Sequence, residues 1–186
     1  FFLMRRRPPR STLFPYTTLF RSDLRHTIAV LVDNEPGVLA RLVGLFSGRG
    51  YNIESLTVAA VDTTLDRSRI NIVTSGDQMI IDQIRAQLER LVPVVTVVDL
   101  TEEGPSIERE LALVKVVGTG DDRIEALRVA DIFRARAVDS TLASFVFEVT
   151  GDSGKVNAFI DLMRPLGLAE VSRTGVVAIA RGADAM

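Results

Sequence analysis

Short β-branched runs alternate with runs of helical period in one fixed order along this chain, strand–helix–strand–strand–helix–strand. That order constrains the fold more than any other feature. Thr27–Val32 is apolar, β-branched and short, as a buried strand is. Val38, Leu39, Leu42, Val43 and Phe46 then recur at helical spacing up to Gly48 and Gly50, a stop signal. Asn52–Val61 and Arg67–Ser75 read as strands joined by the polar turn Asp62–Asp66. Asp77 precedes a second helix with apolar positions Ile80, Ile81, Ile84, Leu88 and Leu91. Pro93 ends it, and Val94–Val98 is a continuous apolar strand. A βαββαβ unit of this kind lays two helices on one face of an antiparallel sheet.

Thr101–Ser106 breaks the composition, with Gly104-Pro105 at its centre, and is the best linker in the chain. The rhythm then repeats. Leu111–Val117 reads as a strand, and Asp121 or Asp122 caps a helix pointing Ile124, Leu127, Ala130 and Phe133 inward. Ala137–Ser140 and Phe145–Thr150 read as short strands, and Lys155–Arg164 as a helix with Val156, Phe159, Ile160 and Met163 inward. Ala169–Ala180 holds the last strand. Gly151-Asp152-Ser153-Gly154 faintly echoes Asn34–Gly37, so two related modules are expected, although one weak echo does not establish duplication. The expected division is a tail over 1–23, a first module over 24–101, a linker over 102–108 and a second module over 109–182.

At 186 residues there is room for one large domain or two small ones, and 47% hydrophobic with 25% charged residues is the balance of a chain with real cores. No run approaches the roughly 18 uninterrupted apolar residues of a membrane span, and the chain is expected in the cytoplasm. The absence of cysteine removes disulfides, thiolate chemistry and zinc–thiolate sites. The formal charge of −2 hides an asymmetry: five of the 22 basic residues and no acid fall in 1–22, leaving 17 basic against 24 acidic residues, or −7, for the remainder. An acidic body argues against a general nucleic-acid binder. Residues 1–22 imitate a transit peptide, being Arg-rich, Ser/Thr-rich and acid-free. Their three prolines and clustered arginines prevent a regular amphipathic helix, and the stretch looks like the conceptual translation of a sequencing-library adapter joined in frame to a gene fragment. It is expected to be non-native and carries no fold reasoning.

Catalytic constellations are missing. The only histidine is His26, so no Ser/His/Asp set or cluster of histidines can be assembled. Asp62, Asp66 and Asp77 could face a hard cation, but a solvated hairpin face is the simpler reading, and no metal site is expected. Gly118-Thr119-Gly120 lacks a third glycine and a P-loop lysine, and the acids that follow disfavour phosphate there. The chain is expected to catalyse nothing.

A small-molecule site is credible elsewhere. Val32-Asp33-Asn34-Glu35-Pro36-Gly37-Val38-Leu39 feeds a strand into a helix N-terminus, where free N–H groups and positive dipole suit a carboxylate. Asn34 is a candidate N-cap, Pro36 an early helical residue and Gly37 a point of close backbone approach. On spacing alone, an ordinary capped helix is the competing reading. A ligand carboxylate would sit on the N–H groups around Gly37, Val38 and Leu39. The amides of Asn34 and Asn52 each donate and accept, so one can serve a carboxylate and the other an ammonium. Ile53 and Leu39 are either side-chain-pocket residues or core.

The run VDNEPGVLARLVGLFSGRGYNIESLTV (32–58) closely resembles the opening of the regulatory (small) subunit of acetolactate synthase, a family that begins with an amino-acid-binding ACT domain. The resemblance continues at Glu108-Arg109-Glu110-Leu111 through Val116 and at Ser172-Arg173-Thr174-Gly175-Val176, and covers roughly residues 24–182. It implies an α+β fold of two ferredoxin-like βαββαβ modules, an N-terminal ACT domain and a C-terminal ACT-like domain. It also implies that Asn34, Gly37 and Asn52 form an effector site at the interface of two ACT domains, in a homodimer. The chain would then activate a separate catalytic (large) subunit, which holds thiamine diphosphate, Mg²⁺ and FAD, and would confer feedback inhibition by a branched-chain amino acid, most often valine. The competing readings are another ACT-type sensor, such as an amino-acid-responsive transcriptional regulator, and an enzyme in its own right. The first would need a recognition helix and a basic surface, the second a catalytic set, and the sequence displays none of these.

Overall fold

Alternate residues of strand β1 (Leu24–Asp33) face opposite ways, and this sorts the first half of the chain. In the computed structural model, which describes residues 24–183 and Met186 apart from Thr63 and Leu65, Ile28, Val30 and Val32 point to one face. They meet Val38, Leu42 and Phe46 of helix α1 (Val38–Arg49). Strand β2 (Ser55–Asp62) and strand β3 (Arg67–Gly76) follow, and Ile70 and Ile72 of β3 join the same core. Helix α2 (Gln78–Leu88) contributes Ile81, Ile84 and Leu88, and strand β4 (Val94–Asp99) closes the sheet in the antiparallel order β2-β3-β1-β4. Burying each such aliphatic or aromatic side chain contributes about 1.5–3 kcal/mol over leaving it exposed.

The second half repeats the plan. Strand β5 (Ser106–Val117), helix α3 (Asp121–Phe133), strands β6 (Arg136–Ser140) and β7 (Ser144–Gly151), helix α4 (Ser153–Met163) and strand β8 (Leu168–Arg173) form a sheet of order β6-β7-β5-β8. Its core is aromatic: Phe147 lies 5.2 Å from Phe145 and 6.2 Å, edge-on, from Phe159. The two βαββαβ modules expected are present. Residues 1–23, and the reading of that segment as non-native, lie outside the described residues. No helix among the described residues is long and apolar enough to cross a membrane.

Several local expectations are corrected. The chain read as one last strand is two, β8 and β9 (Val177–Ala180), separated at Gly175. Residues 106–108, read within a linker, begin β5, and Ser106–Arg109 pair with Ala180–Val177. Helix α3 buries Ala126, Val129 and Ala130, not the stripe led by Ile124 and Leu127, which are 54% and 40% exposed. Small side chains on that face let the helix approach the sheet closely. Neither Asp121 nor Asp122 caps α3; Gly120 holds that position and the two acids complement the dipole of the first turn. Helix α2 ends at Leu88, five residues before Pro93. The echo at Gly151-Asp152 answers Gly76-Asp77 rather than Asn34–Gly37. In both pairs the strand ends in glycine and the aspartate caps the next helix, Asp77 taking the N–H of Ile80 and Asp152 that of Lys155.

The modules are joined on the face of the first sheet away from its helices. There Ala178 packs on Ala29 and Leu100. Polar contacts surround this patch: the Val176 N–H donates to Ser55 Oγ at 2.9 Å, the Thr57 hydroxyl to the Val176 carbonyl at 3.1 Å, and Arg69 to the Ala178 carbonyl at 2.9 Å. Burial pushes the Arg69 guanidinium down from its ordinary value. Gly175 lies at φ +84°, and a Cβ there would stand 2.6 Å from Ser55 Oγ, so only glycine allows this approach.

Candidate functional site

Gly37 occupies the N-cap of α1 at φ +84°, with nothing within 4 Å of where a side chain would project. Asn34 is therefore not the cap, and Pro36 lies before the helix rather than in its first turn. Instead Asn34 Nδ2 donates to Asp66 Oδ1 at 3.0 Å, its Oδ1 accepts from the Ser68 hydroxyl at 3.3 Å, and its backbone N–H donates to the Asp66 carbonyl at 2.8 Å. The β2–β3 turn thus fixes the orientation of the amide and leaves it one further donor and one further acceptor.

The four helices differ at their N-termini. Helices α2 and α4 are capped by aspartate side chains, and α3 carries two acids in its first turn. Helix α1 has no side-chain cap and no acid in its first turn. Its Val38 N–H reaches the Glu35 carbonyl at 3.3 Å, and its first full helical bond is Arg41 N–H to Gly37 at 3.0 Å. The N–H groups of Leu39 and Ala40 accordingly have no partner inside the helix. A positive helix end is open to an anion from outside.

Of the other site residues expected, Val38 is buried in the core, and Leu39 is 41% exposed beside the open N–H groups. Ile53 packs partly against the core. At the far end of α1 the N–H of Tyr51 returns to the Phe46 carbonyl at 3.0 Å, and the two rings meet edge-on at 6.1 Å. The chain then runs out through exposed Asn52, whose carbonyl accepts from the Thr74 hydroxyl at 2.6 Å. The Asn52 side chain itself has no partner among the described residues. Asn34 sits beside Ser68 and Asn52 beside Thr74, six residues apart on β3, which is ~20 Å along a strand. Within one chain the structure brings Asn34, Gly37, Val38 and Leu39 together and leaves Asn52 and Ile53 at the opposite end.

Asp66 and Asp77 are engaged separately: Asp66 holds Asn34 and Asp77 caps α2. The acidic grouping that does form around a histidine is His26, Asp99 and Glu102, with ligand atoms within 4.8 Å of one another. His26 Nδ1 lies 2.8 Å from Asp99 Oδ2, and Asp99 Oδ1 accepts from the Thr101 N–H at 2.9 Å. The pair ties β1 to the end of β4 inside the core, a role that a lone histidine in an even position before Ile28 could have suggested.

The fold defines the class: a tandem ACT-type protein of two βαββαβ modules. Residues 28–96 match the family described as AHAS small subunit-like ACT domain, and residues 109–182 the family described as small subunit of acetolactate synthase. The probable acetolactate synthase small subunit of Archaeoglobus fulgidus is 51% identical over 86% of this chain and 98% of its own length. The acetolactate synthase isozyme 3 small subunit of Escherichia coli is 45% identical over 86% and 97%. The crystal structure of the small subunit from Thermotoga maritima superposes with a TM-score of 0.77 at 37% identity, covering 87% of this chain and 99% of that one. The chain belongs to the acetolactate synthase small-subunit family.

Proposed function

We propose that this chain raises the activity of a separate acetolactate synthase catalytic subunit and makes that activity responsive to a branched-chain amino acid, with valine favoured. It performs no chemistry of its own. Thiamine diphosphate, Mg²⁺ and FAD are assigned to the catalytic partner and none to this chain. The observation that carries the reading is the open N-terminus of α1 in a member of this family: the one α-helix among those described with neither a capping side chain nor an acid in its first turn.

In this reading the amino acid's carboxylate sits on the N–H groups of Leu39 and Ala40, beside Gly37, and the oriented amide of Asn34 adds a donor. Asn52 comes from a second copy. The separation of the two asparagines along β3 supports a twofold arrangement, in which each copy lends its Asn52 to the other's helix end and two equivalent sites result. Strand β2 is an outer strand of its sheet and exposes Val58 and Val61, which favours that edge for the contact. Leu39 and Ile53 would line the apolar part of the pocket. One methylene there is worth only about 1–3 kcal/mol, so valine, leucine and isoleucine are separated by degree. A coupling of about 1–3 kcal/mol between effector and catalytic subunit suffices for feedback.

The test is reconstitution. Alone, the chain forms no acetolactate from pyruvate; added to the catalytic subunit from the same source, it raises the rate, and valine lowers it again. Turnover by the isolated chain, or a catalytic rate untouched by its addition, contradicts the reading.

A further inference from the structure

Arg25 stands near the start of β1, where its guanidinium reaches three elements at once. Its Nε lies 3.4 Å from Glu54 Oε2, in the irregular segment two residues beyond Asn52. One terminal nitrogen lies 3.2 Å from Glu108 Oε2 on β5, and the other donates to Ser153 Oγ at the start of α4, 3.3 Å away. The other carboxylate oxygen of Glu108 accepts from the Thr27 hydroxyl, so Glu108 binds β1 with both oxygens. Arg25, Glu54 and Ser153 line a polar cleft of about 450 Å³ between the modules, with Arg173, Thr174 and Gly175 also in its wall. The segment 52–55 is attached to the second module at two points, Glu54 through Arg25 and Ser55 through the N–H of Val176.

We propose that Arg25 is the coupling residue between the amino-acid site and the C-terminal module. The inference rests on the effector-site reading given above. A ligand that engages the Asn52 side chain biases residues 52–54, which precede β2 and have no regular secondary structure. Glu54 is anchored to β3 through its N–H, which donates to the Val73 carbonyl at 2.8 Å, and its Oε1, which accepts from the Ser75 hydroxyl. The displacement therefore reaches Arg25 through the remaining carboxylate oxygen, Oε2. Arg25 converts that displacement into a change in its hold on Glu108 and Ser153. Each contact is polar and half-exposed, with 38% of the Arg25 side chain accessible, so the linkage can rearrange without opening either core. A ligand can drive such a rearrangement only through unequal affinity for the two arrangements, and Arg25 makes the affinity difference felt outside the first module. Arg25 touches no ligand in this scheme; it is a positioning residue.

The test separates binding from response. Arg25→Gln and Glu54→Gln are made in the full chain and compared with the parent, and with Arg164→Gln, which breaks an exposed pair with Asp161 inside the second module. Valine binding is measured by calorimetry on the regulatory chain, and inhibition at saturating valine on the enzyme reconstituted with its catalytic subunit. The expected result is valine affinity within about threefold of the parent for all variants, with residual activity at saturating valine at least doubled for Arg25→Gln and Glu54→Gln and unchanged for Arg164→Gln. Arg25→Lys, which keeps the charge but not the three-way reach, falls between. Inhibition equal to the parent's in Arg25→Gln, or affinity and inhibition lost in parallel, overturns the coupling role while the effector site stands. A parent chain that binds no valine, leucine or isoleucine overturns the effector site first and the coupling with it.

Discussion

Ser68 and Thr74, six residues apart on the same face of β3, hold the two asparagines of the proposed site at opposite ends of one sheet. Their hydroxyls bond the Asn34 side chain and the Asn52 backbone, so neither asparagine can migrate to the other without breaking the ladder around it. In the proposed arrangement each site is therefore completed by a second copy.

Mixed dimers provide the first prediction. Asn34→Ala and Asn52→Ala each abolish high-affinity valine binding when present in both copies. Co-refolded one to one, the two variants regain binding in about a quarter of the sites, because each heterodimer contains one site with both asparagines intact. Calorimetric stoichiometry measures this. No recovery on mixing would mean that both asparagines act within one chain, or that one of them is not at the site.

Gly37→Asp and Asn52→His address the chemistry of the site. At φ +84° an aspartate is strained by roughly 1 kcal/mol, and its carboxylate competes with the ligand's at an uncapped helix end. Imidazole at position 52 cannot donate and accept as an amide does. Losing one hydrogen bond to a charged ligand group costs about 1.5–3 kcal/mol, so valine should be needed at roughly 10–100-fold higher concentration, with stimulation of the catalytic subunit retained. Unchanged valine titrations in both variants would move the site away from this loop.

Arg173 grips the buried carboxylate of Glu110 with two nitrogens, at 2.5 and 2.7 Å, and that carboxylate raises the Arg173 guanidinium above its ordinary value. Arg173→Ala leaves Glu110, 4% exposed, without its cation. Arg173 is itself partly accessible, so solvent moderates the loss to about 2–3 kcal/mol, or roughly 4–12 °C in Tm. Replacing Glu110 by Gln as well should recover part of the loss. A double variant no more stable than Arg173→Ala alone would show that the uncompensated charge is not the cause.

Acid stability offers a test with a defined sign. Lys115 and Glu170 face each other across β5 and β8 at 2.7 Å, and the hydrogen bond from Lys115 holds the Glu170 carboxyl below its usual value. A carboxylate depressed in the folded state stabilises fully above its unfolded pKa of about 4.3 and loses that contribution as pH falls through the folded value. Glu170→Gln should therefore lower stability at pH 7 and converge with the parent as acidification protonates Glu170 in the folded state, with the gap at pH 7 shrinking in high salt. Urea denaturation at several pH values measures it; a gap that widens on acidification would contradict the assignment.

Element order and core were readable because local pattern carries them: β1 follows from the continuous apolar run Thr27–Val32 and the Val156–Met163 face of α4 from helical spacing. What escaped was set by partners distant in sequence. Nothing near Asn34 announces that Asp66 and Ser68 will claim its amide, and nothing near Gly120 favours it as a cap over the acids that follow. Helix α3 was misphased because Ile124 and Leu127 outweigh Ala126 and Ala130 in any hydrophobic count, whereas close packing against the sheet rewards the smaller residues. The junction made by Arg25 joins residues 83 and 128 positions apart, beyond the reach of local pattern.

Strand β9, which follows the second module in sequence, lies back against the first sheet, and this orders the events of synthesis. The first module leaves the ribosome before the second, yet the face carrying Ala29 and Leu100 waits for Ala178. A nascent chain paused anywhere before Thr174 shows that face bare, with Ser55 and Thr57 lacking the backbone groups they bind in the finished protein. Chains cut before Thr174 would therefore carry a defect in the first module, at residues as distant from the cut as Ser55 and Thr57.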